Sequence, residues 1–168
     1  MNTELKKQQR TIGAFIKIPL EKGYHTYARI LKATAFAFYD SLTKEDITDL
    51  QNIAHSPILF IASVYNDAIT NGHWLKIGKL PLETHLLTLP PQYVQDPIQP
   101  QNFTIIYDDS TVKIATIDEC RNFERFAVWE PHAIEKRIND FYAGRKNKSV
   151  EDMHHPEWRI KDKKKQVA

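Results

Sequence analysis

Apolar and polar positions alternate from Ile12 onward, and the alternation predicts strand after strand in the first third of the chain. In "IGAFIKIPL" (12–20) Ile16, Ile18 and Leu20 share a face, and "EKG" then supplies a turn. "YHTYARIL" (24–31) sets Tyr24, Thr26, Ala28 and Ile30 against Tyr27, Arg29 and Leu31, so the two segments predict a β-hairpin. "FAFYD" (36–40) predicts a third strand. "PILFIASVY" (57–65) is apolar at nearly every position, the pattern of a strand covered on both faces at the centre of a domain. Asn71-Gly72 is the strongest turn pair in the chain, and a strand resumes directly after it. There Leu75 and Ile77 face one way, Trp74 and Lys76 the other. "FTIIYDDSTVKIAT" (103–116) predicts a second hairpin, turning at Asp108-Asp109-Ser110.

The period changes in two places. "LTKEDITDLQNI" (42–53) predicts a short helix with Thr43 as N-cap, Asp46 in a weak capping box, and Ile47 and Leu50 on its buried edge. The clearest helix runs from Pro131, a favoured first residue, to Gly144, a favoured stop. Ile134, Ile138, Phe141 and Tyr142 make one apolar stripe on it, and Lys136 and Asp140 an exposed i, i+4 pair. From Lys79 to Pro100 lie five of the nine prolines, which predicts a wrapping loop with one helical turn near "LETHLL". The sum is an α+β fold, mainly β. Its expected form is a curved antiparallel sheet or partly open barrel of about five to seven strands. One short helix and a C-terminal amphipathic helix pack on it. Residues 1–11 read as a polar N-terminal extension, 12–144 as a single folded domain, and 145–168 as a basic, flexible tail in which Trp158 offers a tether.

The length of 168 residues suits one domain. No apolar stretch approaches the ~20 residues a membrane span needs, and "MNTELKKQQR" is too polar for a secretory signal, which points to the cytosol. One cysteine, Cys120, fits a reducing compartment. The net charge of +2 conceals a division. The tail carries eight basic against four acidic residues and the first ten residues three against one, whereas 11–144 holds twelve against sixteen. A mildly acidic body between basic ends is not the pattern of a nucleic-acid binder, which concentrates positive charge on its folded surface.

Candidate chemistry is thin. Cys120 in "DECRNFE" reads as a buried thiol rather than a nucleophile, since no histidine is placed by a hydrolase signature. His154-His155 with Asp152 and Glu157 lacks zinc-type spacing and reads as solvated tail, so no metal or cofactor is expected. Glu119, Glu124 and Glu130 offer carboxylates without a spacing that requires acid–base work. In "TNGHW" (70–74) Trp74 reads as a corner that a large ring holds shut, and His73 has no partner visible in the sequence.

Several pieces together carry a resemblance: "GAFIKIPL", "YARIL", "FYD", "SPILFIASVYNDAITNGHWLKIGKLPL", "DPIQPQNFTIIYD" and "ECRNFERFAVWEPHAIEKRINDFY". In that order, over about residues 12 to 143, they resemble the immunity protein 26 family of bacterial polymorphic toxin systems. Its fingerprint here comprises Gly72, Trp74, Gly78, Glu124, Trp129 and Pro131, which read as scaffold. The resemblance implies a cytoplasmic, non-enzymatic protein that neutralises a cognate toxin, often a nuclease, by stoichiometric binding. It implies no catalytic residues. An acidic inhibitor suits a basic nuclease, so the expected contacts are acids at turns, Asp67, Asp108, Asp109, Asp118 and Glu119, with Tyr65 and Tyr107 as anchors. Two alternatives stay open: a nucleic-acid-binding module acting through the tail, and a small hydrolase using Cys120 or a His/Glu pair. Oligomeric state is not legible.

Overall fold

The computed structural model describes residues 7–166, with side chains to residue 162. Within it, ten strands form two sheets accompanied by six helices, an α+β fold in which neither sheet closes into a barrel. The first three predicted strands form as β1 (Ala14–Pro19), β2 (His25–Ile30) and β3 (Ala35–Tyr39), an antiparallel meander. The apolar run becomes β4 (Ile58–Val64), antiparallel to β3. β5 (Leu75–Lys79) does not pair with β4 but lies beside β1, at the opposite edge. The short β10 (Val128–Trp129) closes the other edge, parallel to β4, so the sheet runs β10-β4-β3-β2-β1-β5.

Asn71-Gly72 is therefore not a hairpin turn. It ends the helical turn α2 (Asp67–Thr70), with Gly72 at φ +81°, and starts a crossing of the sheet. Trp74 makes that crossing fully buried, its ring edge-on to Phe36 and Phe38 at 5.9 and 6.1 Å. The face it covers includes Ile16, Ile18, Ala28, Ile30 and Val64, and α4 (Pro131–Ala143) closes it with Ile134 and Ile138. Each of those isoleucines stabilises the fold by roughly 1.5–3 kcal/mol through burial. Pro131 opens α4 and Gly144 ends it at φ +67°, a left-handed C-cap that a Cβ would strain.

The other face is covered too. Ile53 of α1 (Leu50–Ala54) packs there with Phe15, Tyr27 and Tyr39, and the proline-rich loop lays Leu82, Leu86 and Leu89 near Leu31 and Ala37. Arg29, fully buried, holds that loop down. Its guanidinium donates to Gly13, Leu80 and Pro81 carbonyls at 2.7–2.9 Å, pairs with Glu83 at 3.1 Å, and stacks on Phe15 at 4.0 Å.

The second sheet runs β8-β7-β6-β9. It comprises β6 (Gln92–Gln95), β7 (Phe103–Ile106), β8 (Val112–Ala115) and β9 (Glu124–Arg125). The second predicted hairpin is β7–β8, and α3 (Ile117–Cys120) follows it.

Several expectations change. The strands buried along their whole length are β2 and β3; β4 is second from an edge and mostly half-buried. The segment 42–49 is not helical. Thr43 pairs its backbone with His25, and Asp49 caps the single helical stretch that forms. Phe141 is 59 % exposed, although Tyr142 beside it packs against the main core, whereas Asp140 is buried. The stretch expected to be a flexible tail forms α5 (Lys148–His154) and α6 (Glu157–Gln166). Met153 anchors it in the second core beside Tyr93, Phe103 and Cys120, while Trp158 is 41 % exposed. Of the polar N-terminal extension, residues 1–6 lie outside the described residues, but the Gln8 side chain bonds the backbone of Ile69, Trp74 and Lys76.

Burial on α4 sets an expected contrast. Ile138→Ala destabilises by about 2–5 kcal/mol and Phe141→Ala by about 0.5 kcal/mol, read as urea unfolding midpoints at constant m.

Candidate functional site

Polar side chains on α4 reach into both sheets. Glu135 accepts a hydrogen bond from the indole N–H of Trp74 at 2.9 Å and meets His73 Nε2 at 2.5 Å, both on Oε1. His132, one turn earlier, brings Nδ1 to 3.5 Å from Oε2. Two positions beyond Glu135, Arg137 stacks on Phe60 at 3.6 Å and Trp129 at 5.1 Å, and donates to Glu124 of β9 at 2.6 Å. Asp140 takes Lys136, Arg145 and Asn147, each at 2.9 Å. Burial alone would raise the Asp140 carboxyl, but those three donors outweigh it and hold the pKa at about 2.

The fingerprint residues take scaffold positions. Trp74 fills the core, Trp129 packs against both cores, and Glu124 neutralises Arg137. Gly78 lies so near Leu50 that an added Cβ would sit 2.6 Å from its methyl carbon.

The enzymatic candidates find structural employment. Cys120 is fully buried, and burial, reinforced by Glu119, pushes its thiol pKa up and away from the reactive thiolate. Glu119 completes a capping box with Thr116. Glu130 stands at the N-cap of α4 without a side-chain cap bond. His154 contacts the Arg121 carbonyl, and Glu157 pairs with Arg121.

The expected contact residues divide between two ends of the second hairpin. Lys32, in the β2–β3 turn, pairs with Asp108, and Thr34 of that turn accepts from the Val64 N–H at 3.1 Å. Tyr65, 51 % exposed, and the Tyr107-Asp108-Asp109 turn therefore lie at one end, with Tyr107 37 % exposed and Asp67 just beyond Tyr65. Hydrogen bonds from the Thr111 hydroxyl and N–H lower the Asp109 carboxyl pKa, keeping it charged. Asp118 and Glu119 follow Ala115 at the opposite end, where Arg121 takes Asp118 at 2.9 Å and Lys113 takes Glu119 at 3.5 Å. The sequence reading missed His132, Glu135 and Arg137 altogether. His132 and Glu135 share a helix face three residues apart, but nothing local points to His73, 62 positions from Glu135.

The family model described as immunity protein 26 matches residues 11–104. The chain belongs to the immunity protein 26 family. An immunity function follows from that membership. The matched stretch includes β1 to β6, ends within β7, and holds Gly72, Trp74 and Gly78; Glu124, Trp129 and Pro131 lie beyond it. No curated protein and no solved structure matches this immunity protein 26 member. Among its described residues no helix is long and apolar enough to cross a membrane.

Asp140 sets a pH dependence. Its folded pKa lies below the ordinary unfolded value of about 3.9, so its contribution is present above that value and disappears as pH falls toward 2. Acid unfolding curves should show this loss between about pH 4 and 2, and Asp140→Asn should be less stable at neutral pH with a shallower acid slope.

Proposed function

We propose that this protein neutralises a cognate toxin by forming a stoichiometric complex, without turnover, and that the toxin is of the nuclease type. The toxin seats on the end that carries Tyr65, Asp67, Tyr107, Asp108 and Asp109. The observation that carries this choice is the Lys32–Asp108 pair, which ties that turn to the end of the main sheet where Tyr65 stands exposed. Two half-exposed tyrosines supply rigid apolar anchors beside charged rims, the composition in which binding energy concentrates. The acidic balance of residues 11–144 favours encounter with a basic, phosphate-handling surface. Asp118 and Glu119 stand at the opposite end of the second hairpin, away from both tyrosines.

Co-expression with the toxin encoded in the adjacent reading frame tests the reading: cells making this protein survive, and death of those cells overturns it. Within a purified complex, Asp109→Lys should slow association several-fold and flatten its dependence on salt. Tyr65→Ala should speed dissociation by at least tenfold. An unchanged association rate at low salt for the first variant removes this end from the interface.

A further inference from the structure

We propose that His73, His132 and Glu135 form a binding site for one divalent transition metal of the zinc class. Their donor atoms, one from each side chain, all lie within 4.8 Å of one another. The separations from Glu135 are 2.5 Å to His73 Nε2 and 3.5 Å to His132 Nδ1, and the two imidazole centroids are 5.5 Å apart. Ligands around a tetrahedral zinc stand about 3.3 Å from one another, given metal–ligand bonds near 2.0–2.2 Å. The His132 Nδ1–Oε2 separation is close to that value, and His73 Nε2 lies on the other oxygen of the same carboxylate, Oε1. His132 is 84 % exposed at its side chain and can swing inward without disturbing the core.

Two further features make this more than a surface coincidence. The carboxylate is oriented by the core: the buried Trp74 indole donates to its Oε1, leaving Oε2 directed at His132. The histidine on the opposite side is held by its backbone, since the His73 N–H donates to Asn71 Oδ1 at 2.9 Å directly after the left-handed Gly72. A carboxylate oriented from behind and a histidine whose backbone is fixed hold two of the three donors in place. Two imidazole nitrogens and one carboxylate oxygen suit zinc, cobalt or nickel over magnesium or calcium, which take oxygen ligands. Three protein donors leave a fourth position for water or for a donor from another molecule. A bound ion would join the 71–74 corner to the first turn of α4, across the face that Trp74 occupies. The inference does not depend on the toxin reading.

The test uses the full chain, stripped with a chelator and titrated with zinc and, separately, cobalt. One equivalent of zinc should bind, raising the unfolding temperature by about 5 °C at a hundredfold excess over Kd. Cobalt should give the visible absorption of a tetrahedral site. Binding should weaken in acid, because protons compete with the metal for the imidazole nitrogens. His132→Ala should weaken binding at least tenfold while leaving the unfolding temperature of the metal-free protein unchanged. Glu135→Gln should weaken it as well, and His155→Ala should not. Absence of stoichiometric binding by the unaltered chain, or wild-type affinity in His132→Ala, overturns the site.

Discussion

The two sheets meet on a buried guanidinium. Arg137 leaves α4, passes over the Phe60 ring of β4 and the Trp129 ring of β10, and ends on Glu124 of the second sheet. A charge removed from water must be paired, and a pair broken inside a fold costs about 3–5 kcal/mol. Every element named in that contact is thereby constrained. The second sheet cannot shift along the first without uncovering Arg137, and α4 cannot rotate without separating it from Glu124. Trp129, in van der Waals contact with both cores, adds an apolar component to the same junction.

A second buried arginine does the corresponding work on the other face of the main sheet. Arg29 satisfies three carbonyls and pairs with Glu83, so a proline-rich loop with few ladder bonds of its own lies flat. With α4 on one side and this loop on the other, β2 and β3 lose all contact with water. The turns at one end, around Lys32, Tyr65 and Asp108, thus project from a frame covered on both faces. Away from that sheet, Cys120 is buried in the second core, Glu119 caps α3 and Glu124 pairs with Arg137.

Much of the architecture was legible along the chain. Alternation found β1, β2 and β3, the Asp108-Asp109-Ser110 turn found β7–β8, and Pro131 with Gly144 bounded α4. Where the reading went astray, a long-range partner decided. The apolar density of β4 suggested a central strand, yet β4 lies beside β10 and is half-buried. Thr43 carries a capping signature but spends its backbone on His25. The charged segment after Gly144 holds too few apolar residues to predict packing, yet Met153, with Val150 and Ile160, covers the Tyr93–Phe103 core. The tyrosine and aspartate contacts are legible as acids at turns with rings beside them, but folding divides them between two ends of one hairpin.

Local physical chemistry, read from residue order, determined which segments extend, which coil and where they stop. Strand alternation, capping and turn preferences act over a few residues, so neighbours suffice to express them. Tertiary structure alone decided that β5 crosses to the far edge, that Arg29 and Arg137 go inside, and that His73 meets Glu135. Those outcomes depend on partners beyond the reach of a local pattern, from 13 residues away for Arg137 and Glu124 to 62 for His73 and Glu135.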